Sequence, residues 1–103
     1  MHHYCIIYVI DGKASAFYTE VVWDTSIQKG ETLVISNENL QFEKPLRNKD
    51  RETKANIMRT IFWKVIDVAH KFETRWEFKE NGKTLIWVSP KKQPIFLESS
   101  ESN

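Results

Sequence analysis

Residues 51–74 read RETKANIMRTIFWKVIDVAHKFET, and this stretch decides the fold that the sequence predicts. When it is projected at about 100° per residue, its apolar side chains fall on one continuous arc. That arc is about 180° wide, whereas a single core-facing stripe needs only ~100°. Asp50 precedes the stretch, and its carboxylate can cap the free amides of a first helical turn. The pattern therefore predicts one long amphipathic helix over residues 51–74.

Strand-like segments precede this helix. The first is a continuous apolar run rich in β-branched side chains, which favours a strand covered on both faces. Asp11 and Gly12 follow it directly, and Asp-Gly is a hairpin signal because both turn positions need positive φ. Pro45 ends the last pairing, because proline has no N–H to donate to a ladder. The four strands are expected over residues 4–10, 14–23, 32–36 and 40–43.

A second hairpin is predicted after the helix. Residues 75–79 (RWEFK) alternate strictly between polar and apolar, and Asn81-Gly82 is the strongest hairpin signal in the chain. The returning strand is expected over residues 84–89 and should be the more buried of the two. The cross-strand pairs expected on one face are Trp76 with Trp87 and Phe78 with Leu85.

These elements predict an α+β architecture of the order ββββαββ, a single antiparallel sheet with the long helix packed on one face. The domain is expected over residues 1–97, followed by a disordered tail over residues 98–103 (ESSESN). The apolar arc of the helix is wider than one sheet face requires. Its flank is covered either by a second copy in a homodimer or by another segment of the chain, such as residues 95–97.

Length and composition exclude several classes of protein. A chain of 103 residues with 41% hydrophobic and 28% charged residues is typical of one globular domain. No apolar run approaches the ~20 residues that crossing a bilayer requires, so no membrane partner is expected. The single cysteine, Cys5, excludes an internal disulfide and favours a reducing compartment, so we expect a cytoplasmic protein.

The formal net charge of +1 conceals an uneven distribution along the chain. Residues 1–42 carry five acidic and two basic side chains, whereas residues 43–92 carry thirteen basic and seven acidic ones. Such a shift is typical either of a surface for an acidic partner or of an ordinary solvated surface. The overall balance argues against a strongly basic nucleic-acid-binding protein.

Signals for catalysis are sparse. The glycines are isolated at predicted turns, so no glycine-rich loop can hold a phosphate and no cofactor is expected. His3 and Cys5 share one face of a strand while His2 points away, too few ligands for a metal site. Glu77 and Lys79 have the Glu-x-Lys spacing of magnesium-dependent nucleases, but a second carboxylate is missing nearby. A nuclease is therefore the third hypothesis, and we expect a protein that is not an enzyme.

Trp63 is the residue that the helix pattern singles out, because it lies in the middle of the polar arc. It either packs under a loop, such as residues 24–31, or anchors a contact with a partner. Arg59 lies one turn before it, and tryptophan and arginine are enriched at interface hot spots. We therefore expect a small intracellular binding protein that acts by protein–protein contact, as a regulator or inhibitor of the type carried by phages and plasmids.

The alternative is a single-stranded nucleic-acid-binding protein. Aromatic side chains on the predicted strands could stack on bases if they are not in the core. Basic side chains would then contact phosphates, including those of the segment over residues 44–54 that precedes the helix. The candidate binding residues from both hypotheses are Trp63, Arg59, Arg75, Lys79, Arg47 and Arg51.

Overall fold

The computed structural model describes residues 2–43, 45–72 and 82–92. The predicted α+β class is confirmed, and the described elements are four strands followed by one helix and two strands. The fifth strand, however, lies within the residues predicted to be helical. A short 3-10 helix (Asn37–Asn39) lies between the third and fourth strands. The elements are β1 (His2–Ile10), β2 (Lys13–Trp23), β3 (Thr32–Val34), β4 (Gln41–Phe42), α1 (Asn48–Arg59), β5 (Phe62–Phe72) and β6 (Gly82–Pro90).

The six strands form one mixed sheet in the order β3-β5-β6-β1-β2-β4. The prediction of a purely antiparallel sheet is wrong at one place, because β1 and β6 pair in parallel at its centre. There Tyr4 lies opposite Thr84 and Ile6 lies opposite Ile86. Turn signals indicate only how strands that follow each other directly in the chain pair. How β5 and β6 dock against the first hairpin depends instead on burying both apolar faces together.

The predicted long helix is also wrong in its second half. The helix α1 ends at Arg59, and the chain then continues as β5. Trp63 and Val65 alternate with exposed Lys64, a period of two that a strand satisfies. At Ile66 the register shifts, and both sheet faces of β5 therefore carry apolar side chains. Apolar side chains on both faces of β5 give the same sequence pattern as a wide apolar helix face. The wide helix face on which the homodimer prediction was based is therefore not a single surface, because its residues belong to α1 and to β5.

Asp50 caps the start of α1, as predicted, but it does so from within the first turn and not from the position before the helix. The helix begins three residues after Pro45, at Asn48, and Asp50 is its third residue. The Asp50 carboxylate accepts the backbone N–H of Arg47 at 3.0 Å, so it still satisfies an amide at the helix N-terminus. Ile57 is the only buried side chain of α1, and the helix therefore covers the sheet at one point.

The core lies on one face of the sheet, with Trp63 at its centre. Trp63 has no exposed surface, and its ring meets that of Tyr8 edge-on at 4.9 Å between centroids. The Trp63 indole N–H donates to the carbonyl of Thr60 at 3.3 Å. The prediction that Trp63 projects from a polar helix face is therefore corrected. The buried cluster comprises Tyr4, Ile6, Tyr8, Phe17, Ile27, Leu33, Ile57, Trp63, Val65, Ile86 and Val88.

The predicted second hairpin is only half confirmed. The strand expected over residues 84–89 is present within β6, with Thr84, Ile86 and Val88 buried. Its antiparallel partner is β5, so Trp87 lies opposite Asp67 rather than Trp76. Residues 75–79, Asn81 and the tail over residues 98–103 lie outside the described part of the chain.

Candidate functional site

A groove of about 510 Å³ opens between β2 and β3, two strands that are not neighbours in the sheet. In a flat sheet, four strand spacings of ~4.8 Å would hold them roughly 19 Å apart. Both strands line the same groove, so the sheet curls toward its buried face. The lining residues are Ile6, Thr19, Val21, Val22, Trp23, Ile27, Thr32, Leu33, Val34, Ile35, Ser36 and Asn39.

On one side, the groove is bordered by the free edge of β3. The amide of Ile35 donates to Ile61 at 3.3 Å, and the carbonyl of Glu31 accepts from Val65 at 2.8 Å. Because backbone groups alternate along a strand, the N–H and C=O groups of Thr32 and Val34 point away from β5. β3 is the outermost strand of the sheet, so these groups face the open margin.

The opposite border is formed by the last residues of β2. Residues 21–23 pair with β1 on one side. On the other side, β4 pairs only with Phe17 and Tyr18. Within the described residues, no strand therefore pairs with this side of residues 19–23. The groove thus lies between two strand edges whose outward N–H and C=O groups can still pair with another strand. Proteins usually protect such edges from pairing with other chains.

Large apolar side chains are exposed at the rim of the groove. Val22 is 52% exposed, Trp23 is 47% exposed and Val34 is 69% exposed. Ile27 and Leu33 are buried beneath them. Isolated apolar side chains on a surface are ordinary, whereas several around one concave opening are typical of an interaction site.

The buried polar group at the floor of the groove, the Thr19 hydroxyl, is already paired with Tyr8 beneath it. The hydroxyl groups of Thr19 and Tyr8 lie 2.7 Å apart and share a hydrogen bond. Burial raises the pKa of the Tyr8 hydroxyl above its ordinary value, while the hydrogen bond with Thr19 opposes this shift. Tyr8 therefore stays neutral across the physiological range, and the groove presents no charge from below.

The loop between β2 and β3 is held in place by hydrogen bonds from the core. The Tyr4 hydroxyl donates to the carbonyl of Thr25 at 2.9 Å and accepts the amide of Ile27 at 3.1 Å. Gly30 has a φ of +95°, a region that favours glycine, and its amide donates to Val65 at 2.8 Å. These contacts place Ile27 in the groove, so its wall is formed before any partner binds.

Three exposed carboxylates lie beside the groove, whereas the Lys91 ammonium donates to Thr32 at the start of β3. The lining residues of the groove carry no charge, but Asp24, Glu31 and Glu38 each follow or precede one of them in the chain and are exposed. The Glu31 carboxylate accepts the amide of Gln28 at 2.7 Å, which holds it beside the start of β3. The groove therefore lies in the acidic part of the chain that the charge distribution indicates.

The predicted site residues that the structure describes do not form one exposed cluster with Trp63. Trp63 is buried, so it cannot contact a partner, while Arg59 is exposed at the end of α1 and donates to the side chain of Asn56. Arg47 and Arg51 are exposed around the start of α1. Arg75, Lys79 and Glu77 lie outside the described residues. The expected hot spot of Trp63 with Arg59 is therefore wrong.

Three of the strand aromatic residues expected to stack on bases are also inaccessible. Tyr4, Tyr8 and Phe17 are buried in the core together with Trp63, so they cannot form a stacking platform on the sheet. Tyr18 and Trp87 are partly exposed. Trp23 is 47% exposed and lies at the rim of the groove, a position that sequence reasoning did not indicate. The signal was present: residues 21–23 are three consecutive apolar residues in a strand, so at least one must face away from the core.

Comparisons with known proteins do not place the chain, since no protein-family model, curated protein or solved structure matches it. Among residues 2–43, 45–72 and 82–92, no three or more histidine, cysteine or carboxylate side chains are grouped closely enough to hold a metal ion. In the same part of the chain, no helix has both the length and the apolar character needed to cross a bilayer.

Proposed function

We propose that the protein is a non-enzymatic binding protein that captures an extended segment of another protein in the groove between β2 and β3. The observation that carries this proposal is that two strand edges, one on either side of an apolar groove, have no strand partner among the described residues. Capture of such a segment is a means by which a small regulator or inhibitor acts without chemistry of its own. The single cysteine supports a cytoplasmic location as part of the same proposal.

The binding mode is the addition of a strand to β3. Thr32 and Val34 offer outward N–H and C=O groups, which an extended segment can pair with in the manner of a further strand. Alternate side chains of that segment would then point toward Ile27 and Leu33 at the floor of the groove. Backbone pairing supplies much of the affinity in this mode, and the pockets for side chains supply the specificity.

The chemistry of the preferred segment follows from the lining and the rim. An uncharged apolar lining selects alternating apolar side chains, of which β-branched ones fit an extended backbone best. Asp24, Glu31 and Glu38 at the rim favour lysine or arginine at the ends of the segment. The expected occupant is therefore a short, extended, apolar segment with basic flanks.

The experiment is a selection of short random peptides displayed on phage against the purified protein, followed by affinity measurement of the enriched peptides. Enrichment of alternating apolar sequences with basic flanks is the expected result. A pair of variants at Val34 separates the two parts of the interaction. Val34→Pro removes the outward N–H, a change that the edge of a sheet tolerates, whereas Val34→Ala keeps the N–H and removes most of the side chain.

We expect Val34→Pro to weaken peptide binding more than Val34→Ala does, because only proline removes a backbone donor. Circular dichroism of both variants checks that the sheet is intact. Equal binding by the wild type and Val34→Pro would show that β3 does not pair with the peptide. Failure to enrich any peptide that depends on the groove would contradict the proposed function itself.

A further inference from the structure

A second concave surface lies next to the groove but shares no lining residue with it. This basic cleft has a volume of about 720 Å³ and is formed where the end of α1, the start of β5 and the end of β6 meet. Its lining residues are Arg59, Thr60, Ile61, Phe62, Pro90, Lys91 and Lys92. Three of these seven carry a positive charge and none carries a negative one.

The cations of the basic cleft are available to an anion. Lys91 donates from its ammonium group to the hydroxyl of Thr32 at 2.7 Å, and Arg59 donates to the amide oxygen of Asn56, both neutral partners. Lys92 is exposed. Lys64 adds a fourth positive charge beside the cleft, because it is exposed and is the register partner of Thr32 on β3. Within the described residues, no carboxylate forms an ion pair with any of the four.

The backbone that carries these cations is anchored. The amide of Lys91 donates to the carbonyl of Phe62 at 2.9 Å, so the chain after β6 is fastened to the start of β5. Fixed cations bind an anion at a smaller entropic cost than cations on a mobile segment do. The cleft is therefore a preformed positive surface in a protein whose formal net charge is only +1.

Apolar surface lies between the charges. Ile61 is 58% exposed, and Phe62 is partly exposed beside it. A simple anion would contact the positive side chains but would leave the apolar side chains exposed to water. A single-stranded nucleic acid carries both phosphates and flat apolar bases, so it could contact both kinds of side chain. We propose that the basic cleft binds single-stranded nucleic acid, with phosphates at Arg59, Lys91 and Lys92 and a base against Phe62.

A duplex fits the same surface less well. Double-stranded DNA carries about one negative charge per 1.7 Å of its axis and needs a broad positive face. Here the positive side chains surround one concave opening, and residues 1–42 of the same small domain are acidic in balance. A flexible single strand can enter the cleft locally and avoid the acidic part of the surface.

The test is the fluorescence anisotropy of labelled oligothymidine, titrated with the protein over a series of salt concentrations. Three phosphate contacts predict a slope of about −2 for the logarithm of the binding constant against that of the salt concentration. Each contact then contributes about fivefold in affinity at 0.1 M salt. Lys91→Ala and Lys92→Ala should each lower the affinity about fivefold. Each should also make the slope less steep by about 0.7.

The matched controls are Lys13→Ala and Lys29→Ala, which remove exposed lysines outside the cleft. They should leave both the affinity and the slope unchanged. Equal losses from the control and cleft variants would overturn the proposal, because attraction would then depend only on net charge. The absence of binding by the wild type at low salt would also overturn it.

Two further arms identify the ligand class. Phe62→Leu keeps an apolar side chain but removes the ring, so it should weaken oligothymidine binding while leaving the binding of inorganic polyphosphate unchanged. Binding of a duplex or of polyphosphate as tight as that of oligothymidine would show a general polyanion site and overturn the assignment to single strands. Val34→Pro, which removes the outward N–H of β3, should retain oligothymidine binding, so this inference can fail or succeed independently of the proposed function.

Discussion

Trp23 offers the sharpest test of the groove, because this large apolar residue lies at the rim and is about half exposed. It is 47% exposed, and a tryptophan that becomes buried covers up to about 250 Å² in all. About 100 Å² of the Trp23 surface is therefore left for a partner to cover. At ~25 cal/mol per Å² this amounts to about 2.5 kcal/mol of binding free energy, or about seventyfold in Kd.

The Trp23→Ala variant should therefore bind a groove-selected peptide between about tenfold and seventyfold more weakly, since part of the apolar contribution offsets the cost of ordering side chains. Isothermal titration calorimetry measures this change. The heat-capacity change on binding should also become less negative, because less apolar surface is buried. Both effects arise from the complex and not from the fold.

The free energy of unfolding provides the control for this variant. Truncating a fully buried tryptophan costs about 3–5 kcal/mol. Trp23 is only half-buried, so Trp23→Ala should lose about 1–2 kcal/mol and remain folded. Trp63→Ala, by contrast, should lose the full amount because Trp63 is buried at the centre of the core. Unchanged peptide affinity in a folded Trp23→Ala protein would refute the assignment of the groove.

Two further predictions concern the fold. Ile57 is the only buried residue of α1, so Ile57→Ala should lower the free energy of unfolding by about 2–5 kcal/mol. The same variant should also speed hydrogen exchange along the helix. Met58→Ala, at an exposed position, should have neither effect. Unchanged exchange in Ile57→Ala would show that the helix is held elsewhere. The second concerns the ion pair of Glu20 with Lys83, in which a hydrogen bond from Lys83 lowers the pKa of Glu20. A lowered folded pKa stabilises the protein above the ordinary glutamate pKa, and this contribution disappears as the pH falls through the folded value. Both side chains are about two-fifths exposed, so the contribution is at most ~1 kcal/mol and screened by salt. Urea unfolding of wild type and Glu20→Gln should therefore differ slightly at neutral pH and agree in acid, and a difference that persists in acid would contradict this reasoning.

The first hairpin shows which parts of the fold could be predicted. Asp11 and Gly12 have φ values of +52° and +76°, the positive values that an Asp-Gly hairpin turn requires. The turn is encoded by two adjacent residues, and the flanking apolar runs of β1 and β2 are long enough to be recognised separately. Local chemistry was sufficient here because the interacting residues are close in the chain.

The strand β5 shows where such reasoning fails. Its apolar residues fit a helical period and a strand period almost equally, since apolar side chains occur on both faces around the bulge at Ile66. What decides between the two is the position of β5 between β3 and β6 in the sheet. A helix in the place of β5 would leave backbone N–H and C=O groups of β3 and β6 without partners, which costs free energy. The sequence of residues 62–72 alone does not reveal this cost.

The candidate site was missed for the same reason. The hot-spot hypothesis relied on the helical neighbours of Trp63, and it failed when that residue proved to lie in a strand facing the core. The groove depends instead on the curl of the sheet, which brings the end of β2 near β3 across the intervening strands. Only the apolar run over residues 21–23 hinted at it from the sequence.

The sequence by itself determined the α+β class, the first hairpin, the strand over residues 84–89 and the uneven distribution of charge. Each of these depends on residues that are adjacent or nearly so, because turns, caps and strand propensities act locally. The tertiary structure decided that β1 and β6 pair in parallel and that Trp63 is buried. It also decided that, in the part of the chain that is described, two strand edges beside an apolar groove have no strand partner. These features depend on contacts between residues that are far apart in the chain. Such contacts form because apolar surface is buried and backbone groups are paired across the whole domain, which no single segment determines.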